Sequence, residues 1–196
     1  MTNITTNLIK KFRDQTGAGM MDCKKYLSSA DGNFDKAIEI FRKEGQKIAN
    51  KKAGRTTNQG LIDSYIHPGN KIGVLIEVNC ETDFVAKNEA FQQLVHDLAM
   101  HIAAFDPQYL NPECVPQEIV DKEKEIYMEQ MKNDNKPADV KEKIIQGKLN
   151  KFYEEVCFSE QKFLKNDKIK VQAFITENIA KIGENIKVAR FSRFSL

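Results

Sequence analysis

The residues able to do chemistry in this chain are few and widely spaced. Cys80 ends the run I-G-V-L-I-E-V-N-C, and a nucleophilic thiol there would need a base such as His67, His96 or His101 within reach. Nothing in the spacing puts one beside it, and a cysteine after an apolar strand is ordinarily a small buried residue. His96 and His101 stand five apart, well separated around a helix, unlike the i, i+4 pair of a metal-binding helix. Neither G-x-x-x-x-G-K-[ST] nor G-x-G-x-x-G occurs. The expectation is therefore a protein that is not an enzyme, holds no metal and no cofactor, and leaves any nucleotide to a partner.

One polar stretch stands out beside that strand: N-C-E-T-D-F-V-A-K-N, residues 79–88. Thr82 and Asp83 could cap a following helix, or Asp83 and Phe84 could be offered to something outside the chain. Residue types leave both open. Lys47, Lys51, Lys52 and Arg55 could meet phosphates, but their interleaved acids suit a solvated helix face. Arg190 and Arg193 beside Phe191 and Phe194 resemble a stacking surface for single-stranded nucleic acid, and a terminal strand alternating against a core gives the same pattern.

The elements that must position these residues divide at about residue 55. In I-T-T-N-L-I-K-K-F-R, Ile4, Leu8, Ile9 and Phe12 share a helical face that stops at Thr16–Gly19. M-M-D-C-K-K-Y-L gives a second helix ending at Ala30–Gly32, with Met21, Lys24, Lys25 and Ser28 to one side and Met20, Cys23 and Leu27 to another. Asn33 caps a third, F-D-K-A-I-E-I-F-R-K-E, expected to terminate at Gly45. Residues 1–55 thus read as a three-helix module with a basic linker.

Residues 56–196 read as an α+β core. Two strands flank the bend Pro68-Gly69-Asn70. Phe91, Leu94, Val95, Leu98 and Ile102 stripe a helix over 91–105. Prolines 107, 112 and 116 break the chain, and two charged helices follow, about Gln117–Asn133 and Ala138–Val156, as an antiparallel hairpin. After residue 161 a short irregular piece precedes a helix from Ile169 to Gly183, and the tail alternates as a third strand. The fold class is α+β with a small antiparallel sheet.

Composition excludes the extremes. In 196 residues, 41% hydrophobic and 30% charged, a core can form, and 30 basic against 28 acidic residues leave a net charge of +2. No global field implies a nucleic-acid or membrane partner. No apolar run approaches the roughly 20 residues of a membrane span, and M-T-N-I-T-T-N-L lacks a signal peptide's pattern, so the cytoplasm is expected. Cys23, Cys80, Cys114 and Cys157 form no C-x-x-C and read as reduced, mostly buried thiols.

T-G-A-G-M-M-D-C-K-K at Thr16–Lys25, after Leu8, Phe12 and Arg13, and E-V-N-C-E-T-D-F-V-A-K-N at Glu77–Asn88 resemble the two signatures of the elongation factor Ts family. A-M-H-I-A-A, K-F-Y-E-E-V, E-Q-K-F and K-I-G-E-N-I, the last at Lys181–Ile186, follow in family order, so the likeness covers residues 4 to about 194.

The resemblance implies a ubiquitin-associated-like bundle, an α+β dimerisation core, and guanine-nucleotide exchange on elongation factor Tu, both GDP-bound and nucleotide-free. It assigns magnesium dislocation to Thr82, Asp83, Phe84 and Val85, with Phe84 as the wedge and Asp83 orienting polar groups. It places partner contacts on Arg13, Met20, Met21, Lys52, His67 and Gly183. Longer members carry two related core subdomains and this chain has room for one, which implies a homodimer.

Overall fold

The computed structural model describes residues 4–132 and 136–196. Helix α1 (Thr6–Thr16) starts where the Thr5 hydroxyl accepts from Leu8 N–H. It ends at Gly17, which takes the left-handed φ of 67° and donates its N–H to the Arg13 carbonyl at 2.7 Å. Helix α2 (Met20–Ser29) stops at Asp31 and Gly32, both with positive φ, and Gly32 N–H closes onto the Leu27 carbonyl at 2.8 Å. The Asn33 side chain caps helix α3 (Phe34–Lys52) by accepting from Lys36 N–H at 3.0 Å.

Strands β1 (Gln59–Ile66) and β2 (Ile72–Cys80) flank the bend at residues 67–71, where Gly69 and Asn70 supply positive φ. One helical turn, α4 (Asp83–Ala86), leads into α5 (Glu89–Phe105). Helices α6 (Gln117–Gln130) and α7 (Ala138–Val156) pack against each other as the expected hairpin. The end of α6 expected at Asn133, and the N-D-N part of the loop, lie outside the described residues. Strands β3 (Lys162–Phe163) and β4 (Asn166–Lys170), helix α8 (Val171–Ile182) and strand β5 (Lys187–Ser195) complete the α+β chain.

Two of these elements differ from expectation. Helix α3 does not stop at Gly45 but runs seven residues further, to Lys52. Ala37, Phe41, Gly45 and Ala49, all buried, continue one i, i+4 row. Gly45 serves there as a small residue facing Ala180, since a Cβ built on it would lie 3.5 Å from the Ala180 methyl. The piece after residue 161 is not irregular: β3 and β4 pair antiparallel, Ile169 lies in β4, and α8 begins at Val171. A two-residue strand is too short to show a period of two.

Contacts gather the chain into two compact units, neither continuous in sequence: Met1–Gly60 with Asn79–Phe91 and Ile175–Lys187, and Leu61–Val78 with Gln92–Phe174 and Val188–Leu196. In the first, Phe12, Cys23, Leu27, Ala37 and Phe41 make the bundle core. The Phe12 and Phe34 rings meet edge-on at 5.6 Å, as do Tyr26 and Phe41. The C-terminal part of α8 joins it through Ala180 and through Arg42, whose Nε donates to Glu177 at 3.3 Å.

In the second unit the sheet order is β1-β2-β5. Val74, Ile76 and Val78 turn inward from β2, and Leu94, Val95, Leu98 and Ile102 are buried along α5. His101, fully buried, ties three segments together. Its Nδ1 accepts from Leu164 N–H at 3.2 Å, which puts the ring proton on Nε2, donating to Gln161 Oε1 at 3.0 Å. Gln161 passes the link on to the Glu155 carbonyl at 2.7 Å. Burial drives the imidazole pKa down to about 4, so the ring is neutral. The outer sheet face keeps apolar side chains in solvent: Ile62, Ile66, Leu75 and Phe194.

Candidate functional site

The stretch around Asp83 and Phe84 is built from its cap outward. Thr82 is extended (φ −128°, ψ 156°) and its hydroxyl accepts from Val85 N–H at 3.4 Å, the N-cap of α4. Asp83 follows in the first turn and its carboxylate accepts from Lys87 Nζ at 2.8 Å, one turn on. That hydrogen bond holds the Asp83 carboxyl below the usual carboxylate range. Phe84 points away: 82% of its surface is exposed. Cap and contact are therefore not exclusive, because Thr82 caps the turn and Phe84 stays in solvent. Phe84 is no core residue, and α4 buries none of its residues.

Behind the turn lies a hydrogen-bonded clasp from the end of α8. Gly183 turns the chain with φ 86°. Glu184 then accepts from Thr82 Oγ1 at 2.7 Å, from Thr82 N–H at 3.0 Å and from Glu81 N–H at 3.1 Å. Asn185 N–H donates to Glu81 at 2.7 Å, and its side chain donates to the Arg55 carbonyl at 3.0 Å. Arg55 donates to Glu81 at 3.2 Å. The Asn185 N–H, with Arg55 beside it, lowers the Glu81 carboxyl pKa. Lys52, the last residue of α3, donates its ammonium to the Gly183 carbonyl.

The expected contact residues are distributed unevenly over this geometry. Lys52 and Gly183 bond to each other, and Gly183 stands next in the chain to the carboxylate that holds Thr82. Val85 is half-buried and donates to the cap. Arg13 lies in the last turn of α1, and Met20 and Met21 open α2, 59% and 80% exposed. Met20 thus does not share the buried side of Cys23 and Leu27. His67 belongs to the other unit, exposed at the end of β1, with its Nδ1 3.1 Å from the Tyr65 hydroxyl.

Glu81, Glu184 and Asn185 were not foreseen as site residues. The signal was in K-I-G-E-N-I, where a glycine after an amphipathic helix is followed by two strong hydrogen-bonding side chains.

The residues of the competing chemistries are engaged only in part, with Phe194 left exposed. Cys80 is buried, its thiol donates to the Thr82 carbonyl at 3.1 Å, and burial pushes its pKa up, which keeps it a poor nucleophile. Arg193 is turned inward to the Ala103 carbonyl and Asp106, and Arg190 pairs with Glu77 at 2.7 Å. Phe191 packs on Phe158. Among the described residues no helix is long and apolar enough to cross a membrane.

A capped turn that offers one aromatic side chain to solvent, backed by a clasp and accompanied by exposed methionines, is a surface feature of an α+β chain. The family whose model matches residues 2–196 is described as Elongation factor TS. The chain is 56% identical to elongation factor Ts of Thermosipho melanesiensis over 193 residues, covering 98% of both chains. With that of Pseudothermotoga lettingae it shares 54% identity over 97% of its own length and 96% of the relative's. With that of Geobacter sulfurreducens the figures are 52%, 99% and 90%. The chain belongs to the elongation factor Ts family, which makes it a factor of translation elongation in protein biosynthesis.

Proposed function

We propose that this protein is a guanine-nucleotide exchange factor: it binds elongation factor Tu with GDP, displaces the magnesium ion and promotes GDP release so that GTP can rebind. A P-loop GTPase holds its nucleotide by phosphate contacts and a bridging magnesium, so a group inserted beside that ion weakens the grip without covalent chemistry. Thr82–Val85 does this, with Phe84 as the apolar wedge and Asp83 orienting polar groups. The observation that carries the reading is Phe84 standing 82% exposed on a turn whose backbone is already fixed.

Energetically the factor must bind empty Tu better than loaded Tu, and by linkage the nucleotide weakens the factor's binding equally. Moving the loaded-to-empty ratio from about 99:1 to 1:99 requires roughly 5.5 kcal/mol of differential binding. Arg13, Met20 and Met21 add grip on a helix of the partner's nucleotide domain, two flexible methionines suiting an adaptable apolar contact. Lys52, His67 and Gly183 complete the proposed contacts. Residues 1–55 act as a partner-binding module and residues 56–196 as the core. The chain performs no bond chemistry and acts in the cytoplasm.

We further propose a homodimer. The exposed Ile62, Ile66, Leu75 and Phe194 on one sheet face support it. The deciding measurement for exchange is the release of fluorescent GDP from Tu with and without the protein. Acceleration is expected, and an unchanged release rate refutes exchange. Light scattering of a strict monomer with full exchange activity refutes the dimer.

A further inference from the structure

We infer that Glu184 is a positioning residue that aims the Asp83–Phe84 turn, an inference that rests on the exchange reading above. Helix α4 is a single turn with no buried residue, too short to hold itself. Phe84, largely in solvent, supplies no anchor either. What fixes the turn comes from elsewhere in the chain. Both oxygens of one carboxylate are used: Oε2 takes the N–H groups of Glu81 and Thr82, and Oε1 takes the Thr82 hydroxyl. Such charge-assisted bonds are the strong ones.

The hydroxyl bond matters most. With its proton committed to Glu184 at 2.7 Å, the Thr82 oxygen has its lone pairs turned toward Val85 N–H. The cap that starts α4 is thereby oriented by Glu184. Asn185 closes the other side by holding Glu81 and the Arg55 carbonyl. The left-handed conformation of Gly183 brings the two side chains to the turn. Glu184 touches neither nucleotide nor magnesium in this role; it sets the angle at which Phe84 is delivered.

The test titrates the factor against Tu loaded with fluorescent GDP, using wild type, Glu184→Ala, Glu184→Gln, Phe84→Ala and the double variant Glu184→Ala/Phe84→Ala. Glu184→Ala is expected to lower the maximal release rate by about tenfold, less than the roughly 100-fold that a full 1 Å misplacement can cost, while the half-saturating factor concentration shifts less than about threefold. In the Phe84→Ala background the same change is expected to cost less than about twofold more, because both act through one side chain. Glu184→Gln keeps one acceptor oxygen for the Glu81 and Thr82 N–H groups but sets an NH2 group against the Thr82 hydroxyl. Its rate is therefore expected to fall between wild type and Glu184→Ala, and it carries the test if the alanine variant fails to fold.

A wild-type maximal rate in Glu184→Ala, or an equal loss in both backgrounds, overturns the inference. Amide hydrogen exchange across residues 82–86 separates this from failure of the exchange reading. If wild type does not accelerate GDP release, the exchange reading falls. Faster amide exchange in Glu184→Ala then still supports the positioning, and unchanged protection overturns it.

Discussion

Phe84 keeps its ring in water although burial of such a side chain ordinarily contributes about 1.5–3 kcal/mol. An exposed position contributes little to folding, so Phe84→Ala is expected to leave stability within about 0.5 kcal/mol of wild type. Exchange is expected to fall about 30-fold, the scale of a binding hot spot. A thermal melt beside the GDP-release assay checks both, and a melting temperature that collapses in step with activity would return Phe84 to the core. Thr82→Ser keeps the hydroxyl and is expected to match wild type in that assay. Thr82→Val keeps the shape but loses both the bond to Glu184 and the cap to Val85, and is expected to cost about 1 kcal/mol of stability and slow exchange. At this scale the sequence was half legible. A threonine before an acidic first turn announces a cap. The partner of its hydroxyl, Glu184, stands 102 positions away, and no local period reports such a contact.

Helix α3 shows why a glycine misleads. After an amphipathic run Gly45 reads as a C-cap, yet the row Ala37, Phe41, Gly45, Ala49 continues past it, and only that continuation marks a helix interior. Because an added Cβ would lie 3.5 Å from Ala180, ordinary contact, Gly45→Ala is expected to stabilise by about 0.5–1 kcal/mol through helix propensity. A rise of about 1–4 °C in melting temperature would register it. A fall would mean that α3 and α8 tolerate no methyl between them. Strands β1 and β2, α5 and α7 were legible because each repeats its period several times around a consistent stripe. The β3–β4 hairpin was not, because what holds it is His101 accepting from Leu164 and Phe163 stacking on Phe174 at 3.9 Å, both remote contacts.

For the molecule as a whole, His101 sets a pH dependence of stability. Its folded pKa of about 4 lies below the ordinary imidazole value of 6.5, so the folded state disfavours the proton. Stability is complete above pH 6.5 and declines as pH falls, because the unfolded chain protonates first. Glu81 and Asp83, held below ordinary carboxylate values, contribute stability that is lost only below about pH 4.5. Between pH 6.5 and 4.5 His101 contributes a decline of about 2 kcal/mol. Chemical denaturation across that range is expected to show the decline in wild type, and a much flatter profile in His101→Gln, itself less stable at pH 7. At the same scale, if the proposed homodimer forms through the exposed sheet face, Leu75→Lys is expected to give a folded monomer by light scattering and wild type a dimer. A dimer that persists would move the interface elsewhere. Finally, the cysteines differ in access: Cys23, Cys80 and Cys157 are buried with pKa values pushed up by burial, whereas Cys114 is exposed. A maleimide dye at neutral pH should therefore couple to the native chain at one position without any mutagenesis. Fluorescence anisotropy from that single label would then follow assembly with Tu in real time, on the unaltered sequence.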